Sequence, residues 1–277
     1  MRLTPLARGG KDLQNHGMRF IAWLAVWLAI AGAPALAQPR SAGVPDPRLI
    51  EDLVIGNHVL AELGVVDGFG HLSVRHDKDP NRYLMSRSMA PALVKADDVL
   101  EYDLDSVAVD PKGQALFLER FIHGEIYKAR PDVKAIVHSH SPSVLPYANT
   151  KVALQPMNHI ASFLGGGVPV FEIRDVGGPA TNMLISNATL GRALAKTLGQ
   201  RSVALMRGHG SVAAAQSVRH VTFRAIYTEV NAKMESEALR LGDPTFLNDG
   251  EATAAMKTND GLVDRPWELW KRHAMGK

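Results

Sequence analysis

Apolar residues recur along most of this chain at the spacings of helices and strands. The 3.6-residue spacing predicts helices over residues 47–63, 121–130, 143–148, 187–198 and 217–241. Short apolar runs bounded by Gly, Pro or Asp predict strands over residues 71–75, 83–86, 99–103, 133–139, 168–173, 183–185, 203–206 and 211–215. Because strands gather in the middle of the chain with helices between them, we expect a single layered α/β domain.

The amino-terminal residues have the pattern of an export signal. Arg19 precedes an almost wholly apolar run over residues 20–33, and Pro34 and the small residues of Ala35-Leu36-Ala37 follow it. The run is shorter than the roughly 20 residues of a membrane span. The sequence therefore predicts a signal peptide over residues 1–37, a linker over 38–48 and one domain over 49–277.

The predicted location is periplasmic or secreted, with cleavage near Ala37 and no membrane association afterwards. An uncleaved membrane anchor is the alternative. Both Met1 and Met18 are candidate translation starts, since Arg19 directly follows Met18.

The charge of the chain indicates no nucleic-acid partner. Its net charge is +3, and the predicted signal peptide accounts for it, because the remainder holds as many acidic as basic residues. The chain has no cysteine, which excludes a thiolate zinc site and a cysteine nucleophile. Any metal ion must be held by nitrogen and oxygen atoms.

Three histidines are the candidate metal ligands. His138 and His140 lie two residues apart at the end of a predicted strand, so both side chains point to one face. His209 lies in a glycine turn after another predicted strand. Three histidines with an open fourth position are typical of a catalytic metal site. The alternatives are a solvated strand face for the pair and a simple turn residue for His209.

Glu119 precedes the helix that leads to the histidine strand. Its carboxylate would be a fourth metal ligand, or a general base that substrate displaces from the metal. The alternative is an ordinary glutamate at a helix start, where the helix dipole favours negative charge.

An ordered set of motifs resembles the class II aldolase/adducin family over residues 49–241. The motifs are Gly70-His71-Leu72-Ser73-Val74-Arg75, Ala96-Asp97-Asp98-Val99, Glu119, His123-Gly124-Glu125-Ile126-Tyr127, Arg130-Pro131-Asp132-Val133, His138-Ser139-His140-Ser141 and Gly208-His209-Gly210. The resemblance implies a three-layer α/β/α sandwich around a mainly antiparallel sheet, and a homotetramer with sites at subunit interfaces. It also implies that His138, His140 and His209 bind a divalent metal, commonly Zn²⁺ with Mn²⁺, Co²⁺ or Fe²⁺ as alternatives, and that Glu119 is the catalytic acidic residue.

The chain departs from the sugar-phosphate members of this family where those members hold phosphate. His71 replaces an asparagine, Met89 replaces a glycine, and Leu118 stands where a serine is usual. A phosphorylated substrate is therefore not expected. Arginines would hold a carboxylate instead, and the candidate substrate-binding residues are Ser73, Arg75, Ser86, Arg87, Ser88 and Arg120.

The expected function is that of a metal-dependent carbon–carbon lyase acting on a small, non-phosphorylated hydroxy- or oxo-carboxylate. Decarboxylation is the first expectation, because residues 66–71 resemble the branch of the family that decarboxylates hydroxylated aromatic or carboxy-muconic-semialdehyde acids. The alternatives are aldol cleavage of a hydroxy-oxo acid or sugar, and a non-catalytic assembly module like that of adducin.

Overall fold

Eight strands form one sheet at the centre of residues 39–276, the part of the chain that the computed structural model describes. The sheet has the order β4-β3-β2-β1-β5-β8-β7-β6, and neighbours are antiparallel except for the parallel pair β6 and β7. The strands are β1 (His71–Arg75), β2 (Arg82–Ser86), β3 (Val99–Asp103), β4 (Ala108–Val109), β5 (Ala135–Ser139), β6 (Val170–Phe171), β7 (Val203–Met206) and β8 (Gly210–Ala215).

Helices cover both faces of this sheet. Their bounds are α1 (Pro47–Glu62), α2 (Arg120–Ala129), α3 (Leu145–Asn149), α4 (Arg174–Gly177), α5 (Ala188–Leu198), α6 (Val218–Leu241), α7 (Asp249–Asp260) and α8 (Asp264–Ala274). Short 3₁₀ turns lie at Pro91–Leu93, Ala96–Asp98 and His159–Leu164. Helices α1, α6 and α8 pack on one face, and α2 and α5 pack on the other.

The alternation of side chains along β5 decides which face carries the first histidine. Ala135 and Val137 join the core under α1 and α6, whereas Ile136 joins the core under α2 and α5. Because strand side chains alternate, His138 points to the same side as Ile136. The sheet therefore presents His138 toward the start of α2.

The predicted three-layer α/β/α sandwich with a mainly antiparallel sheet is confirmed. The strand predicted over residues 183–185 is wrong, because the backbone N–H of Ile185 donates to the Glu119 carboxylate at 2.9 Å rather than to a strand. The strand predicted over 168–173 is confined to β6, and α4 follows it. Helix α1 begins at Pro47, inside the segment predicted as a linker.

The predicted signal peptide lies outside the described residues. Within residues 39–276, none of the helices has the length and apolar character that crossing a membrane requires.

Candidate metal centre

The end of β5, the turn between β7 and β8, and the start of α2 bring the candidate ligands to one place. His138 is the fourth residue of β5, and His140 directly follows that strand. His209 lies in the tight turn between β7 and β8, where its N–H donates to the Met206 carbonyl oxygen at 3.0 Å. Glu119 is the residue before α2. The predicted metal ligands and the predicted catalytic acid thus form one cluster.

The three imidazoles form a nearly equilateral triangle. Ring centroids are 4.9 Å apart for His138 and His140, 4.8 Å for His138 and His209, and 5.0 Å for His140 and His209. One nitrogen of each ring and one oxygen of Glu119 all lie within 4.8 Å of one another. The four groups could hold a single metal ion.

The tautomer of His138 is fixed by its backbone partner. Its Nδ1 lies 3.0 Å from the carbonyl oxygen of Ser211. Because a carbonyl only accepts, Nδ1 must carry the proton and donate it. In the neutral ring the Nε2 atom then has a free lone pair, which is the state that a metal ligand needs.

Glu119 is a buried carboxylate with both oxygens engaged. Oε1 accepts the Ile185 N–H, and Oε2 lies 3.5 Å from His138 Nε2 and 3.3 Å from His209 Nε2. Burial by itself raises the pKa of Glu119, but its interactions with His138 and His209 outweigh burial and lower that pKa well below the usual range. The group is therefore a carboxylate at neutral pH.

The spacing of these atoms fits a small divalent cation. Tetrahedral ligands about 2.0–2.1 Å from an ion are about 3.3 Å from one another, and the measured separations are 3.1 Å for His138 and His140, and 3.3 and 3.5 Å for the Glu119 contacts. His209 Nε2 lies near Glu119 but makes no hydrogen bond with it, and both ring nitrogens of His209 are buried without a hydrogen-bond partner in the described part of the chain. Burial lowers the pKa of His140 to about 4, with smaller effects from His138 and His209, so this ring is neutral. The unpartnered nitrogens of His209, the neutral ring of His140 and a carboxylate make a donor set that suits a metal.

Two glycines allow the backbone to pack closely behind the cluster. A Cβ at Gly210 would lie 2.1 Å from the Ser139 carbonyl oxygen and 3.1 Å from the His140 ring. Gly70 has a φ of +92°, and a Cβ there would lie 2.9 Å from the His138 carbonyl oxygen. Glycine at these positions follows from the approach of β8 and β1 to β5.

A cavity of about 280 Å³ opens beside the cluster, and Glu119 and His140 form part of its wall. The rest of the wall is mostly apolar. It consists of Gly68, Phe69, Gly70, His71, Ser88, Met89, Ala90, Phe117, Leu118 and Leu184. No Arg or Lys belongs to these lining residues. A larger cavity of about 1030 Å³ lies along α1 and β3, but none of the cluster residues lines it.

The three arginines predicted to bind substrate are engaged elsewhere in the described subunit. Arg75 donates to the backbone carbonyl oxygens of Pro80, Tyr127, Arg130 and Val133. The Arg75 guanidinium was expected to bind a substrate carboxylate. In the structure it instead binds carbonyl groups inside the protein, and this does not favour a substrate role for Arg75.

Arg87 and Arg120 have protein partners as well. The Arg87 Nε donates to Asp98 at 2.7 Å. Arg120 donates to the carbonyl oxygens of Ser106 at 2.8 Å and Phe117 at 3.0 Å. Neither residue lines the cavity beside the cluster.

Of the three serines predicted to bind substrate, one lies at the cavity and two are buried. Ser88 lines the cavity, whereas Ser86 is buried at the end of β2. Ser73 is fully buried and lies behind the cavity, with its Oγ 2.6 Å from His123 Nδ1 and 2.8 Å from the Tyr127 hydroxyl.

Two further histidines at the site were not predicted as functional residues. His71 lines the cavity, and its ring centroid lies 5.1 Å from that of His138. His123 is buried on α2, and its Nε2 lies 2.6 Å from His71 Nδ1. Burial lowers the pKa of His71 well below its usual range, and it lowers the pKa of His123 to about 3. Their positions in the sequence could have indicated a role at the site. His71 shares a strand face with Ser73, and His123 follows Glu119 by one helical turn.

Comparison with known proteins assigns this fold and site to a family. The sequence model of one protein family, the class II aldolase and adducin N-terminal domain, matches residues 51–236. Decarboxylase tropJ of Talaromyces stipitatus is 37% identical over 246 residues, which cover 80% of this chain and 92% of that protein. The chain belongs to the class II aldolase and adducin family.

A second decarboxylase relative bears on the class of enzyme, and a solved structure bears on the fold. The 3,4-dihydroxyphthalate decarboxylase of Arthrobacter keyseri is 29% identical over 207 residues, which cover 69% of this chain and 79% of that protein. An L-fuculose 1-phosphate aldolase structure from Glaciozyma antarctica PI12 has a TM-score of 0.69 at 20% identity, covers 83% of this chain and 90% of that one, and shows the shared fold. The decarboxylase relatives confirm the predicted carbon–carbon lyase class, with decarboxylation as the principal activity.

Proposed function

We propose that this protein is a metal-dependent decarboxylase of a small, non-phosphorylated aromatic acid that carries a hydroxyl group beside its carboxylate. The similarity to the 3,4-dihydroxyphthalate decarboxylase of Arthrobacter keyseri supports this substrate class. One observation carries the proposal: the cavity beside the cluster is mostly apolar, and among the described residues neither Arg nor Lys lines it.

The shape and polarity of that cavity favour a flat apolar ring. Phe69 and Phe117 lie in its wall with Met89 and Leu118. A phosphate group needs several donors or cations, whereas Met89 and Leu118 offer it neither. An aromatic ring would bury its apolar body against these residues while its oxygens face the cluster.

We propose Zn²⁺ as the ion, held by His138, His140 and His209. Neutral imidazoles with one open position suit zinc, and the absence of cysteine from the chain leaves nitrogen and oxygen ligands. Mn²⁺, Co²⁺ and Fe²⁺ are compatible with the same ligand types. When bound, such an ion supplies Lewis acidity toward the hydroxyl and carboxylate oxygens of the substrate.

Glu119 is the proposed proton carrier. Its carboxylate accepts the proton of the substrate hydroxyl at Oε2, while Oε1 stays bonded to the Ile185 N–H. Glu119 then returns the proton to the ring carbon that bears the carboxylate, the bond from that carbon to the carboxylate breaks, and its electron pair restores the aromatic ring. Carbon dioxide leaves, and solvent reprotonates the hydroxyl oxygen.

The proposed assembly is a homotetramer, and the proposed location is periplasmic or secreted. The exposed side chains of Phe69 and Leu118 at the cavity support the first proposal, since a neighbouring subunit would cover them. The apolar run over residues 20–33 before Ala35-Leu36-Ala37 supports the second.

A product assay distinguishes this proposal from its alternatives. The zinc-loaded protein is incubated separately with 3,4-dihydroxyphthalate, 2,3-dihydroxybenzoate and L-fuculose 1-phosphate, and carbon dioxide and aldehyde are measured. We expect carbon dioxide from at least one aromatic acid and its loss in Glu119→Gln. Aldehyde from the sugar phosphate would establish the aldolase alternative. A tetramer that binds no metal and turns over none of these compounds would establish the adducin-like alternative.

A further inference from the structure

A chain of four buried side chains runs from the cavity into the protein core. His71 Nδ1 lies 2.6 Å from His123 Nε2, and His123 Nδ1 lies 2.6 Å from Ser73 Oγ. Ser73 Oγ lies 2.8 Å from the hydroxyl of Tyr127. All four residues are buried, and His71 also lines the cavity.

The far end of this chain sets the direction of its hydrogen bonds. The Tyr127 hydroxyl has two neighbours, Ser73 Oγ at 2.8 Å and the Lys134 carbonyl oxygen at 3.4 Å. The second distance is longer than an O–H···O hydrogen bond normally is. The Lys134 oxygen also accepts the backbone N–H of Arg75, at the much shorter distance of 2.7 Å. On these distances we assign the single proton of Tyr127 to its shorter contact, with Ser73.

Each following bond is then determined. Ser73 has one hydroxyl proton, and since Tyr127 donates to it, that proton goes to His123 Nδ1. His123 in turn carries its own proton on Nε2 and donates it to His71 Nδ1. A neutral His71 with an accepting Nδ1 must carry its proton on Nε2.

The Nε2–H of His71 has no hydrogen-bond partner among residues 39–276, and its ring lies in the cavity wall. The Phe117 ring, with its centroid 4.6 Å away, packs against the imidazole and limits its rotation. The neighbouring His138 ring lies at the metal cluster. His71 thus directs a neutral donor at the space between the cluster and the apolar wall.

We propose that His71 Nε2–H donates a hydrogen bond to an oxygen of the bound substrate, and that Ser73 and His123 are positioning residues that hold His71 in this tautomer. The inference rests on the proposed function, because it names a second contact in the same cavity. In the described subunit it replaces the expected arginine clamp with a single neutral donor. Such a donor selects an acceptor oxygen on a ring rather than a phosphate, which usually requires several donors or a cation.

The tautomer can be measured without turnover. Protein labelled with ¹⁵N-histidine and loaded with Zn²⁺ is studied by long-range ¹H–¹⁵N correlation, and the His71 signals are assigned from their loss in His71→Phe. We expect a protonated Nε2 and a bare Nδ1 at His71. A proton on Nδ1 would overturn the inference even if the protein releases carbon dioxide.

Binding of catechol, an aromatic probe with two hydroxyls and no carboxylate to lose, tests the contact itself. Ser73→Ala removes the donor to His123, so we expect catechol affinity of the zinc-loaded protein to fall about tenfold, as for a lost hydrogen bond to a ligand. Ser162→Ala is the matched control, because Ser162 is a buried serine whose Oγ has no hydrogen-bond partner within residues 39–276. We expect the His71 Nε2–H signal to shift on catechol addition in this control and in the wild type.

Unchanged catechol affinity in Ser73→Ala, with zinc content equal to that of Ser162→Ala, would overturn the contact and leave the proposed decarboxylation standing. A shifted His71 signal and tenfold weaker catechol binding, in a protein that releases no carbon dioxide from aromatic acids, would support the contact and refute the decarboxylation.

Discussion

The Nε2 atoms of His138 and His140 face each other at 3.1 Å. Since His138 keeps its proton on Nδ1 for the Ser211 carbonyl oxygen, its Nε2 turns a lone pair toward His140. A shared cation satisfies both rings, and the spacing matches two ligands of one ion. In this pair, the alternation of side chains along a strand places two candidate ligand atoms side by side.

Removing one ring of this pair is expected to weaken metal binding. His140→Ala should lose at least about one-hundredfold in zinc affinity, because one of three nitrogen ligands disappears. The affinity is measured by competition with a coloured chelator. His58→Ala is the control, because His58 contacts the Val94 carbonyl oxygen and lies outside the cluster. Equal zinc affinity in the two variants would contradict a shared site.

The close packing behind the cluster predicts that Gly210 does not tolerate a side chain. A Cβ in Gly210→Ala would meet the Ser139 backbone oxygen at 2.1 Å, so β5 and β8 must separate. We expect a loss of about 1–3 kcal/mol in the free energy of unfolding, as for other overpacked sites. Urea denaturation measures it. In Gly68→Ala the added Cβ meets no atom of the described residues within 4 Å, so this variant should change the free energy of unfolding by less than about 0.5 kcal/mol.

Arg75 is expected to stabilise the folded protein and not to bind substrate. Its guanidinium donates to backbone carbonyl oxygens, among them those of Tyr127 at 2.9 Å and Val133 at 3.1 Å. Arg75→Met should lower the free energy of unfolding by about 2–4 kcal/mol, since buried acceptors lose charged donors. The KM of the folded fraction should stay at the wild-type value. A raised KM with unchanged stability would restore the arginine clamp that the sequence suggested.

Much of the site could be predicted from local pattern. The spacing of His138 and His140 placed both rings on one face of a strand, and the glycine turn placed His209 at the end of another. The order of the strands could not be predicted in this way. The pairing of β5 with β1 and β8 joins residues far apart in sequence, and neither partner is marked in the local pattern.

Where expectation and structure differ, the causes are physical as well. Arg75 was expected at a substrate because a guanidinium can hold a carboxylate bidentately, and sequence does not show which carbonyl groups lie nearby. Helix α7 was missed because its residues are mostly polar and only Ala252 is buried, although Asn248 and Glu251 form a capping box at its start. His71 and His123 were visible as motif members, but their 2.6 Å contact depends on the packing of α2 against β1.

A buried carboxyl group on α6 predicts how stability depends on pH. Glu235 is fully buried, its Oε2 accepts the Gln155 N–H at 3.0 Å, and Oε1 has no partner among the described residues. Burial raises the pKa of Glu235 to about 7 from an ordinary 4.5. The folded state therefore holds this proton more tightly than the unfolded state, and its contribution to stability is lost as pH rises from 4.5 through 7.

Glu235→Gln removes that dependence, because the amide is neutral at every pH. At pH 8 the free energy of unfolding of the variant, measured by urea denaturation, should exceed that of the wild type by about 1–3 kcal/mol. The reason is that each pH unit between the two pKa values is worth about 1.4 kcal/mol. At pH 4.5 the difference should be small. An equal advantage at both pH values would show that the carboxyl group does not titrate in this range.

The most direct measurement is carbon dioxide release from 3,4-dihydroxyphthalate by protein stripped of metal with a chelator and then titrated with Zn²⁺. We predict loss of activity on stripping and a linear recovery that ends at one ion per subunit, with no recovery in His138→Ala. Full activity in the stripped protein, or recovery that does not depend on His138, would contradict a metal centre built from His138, His140 and His209.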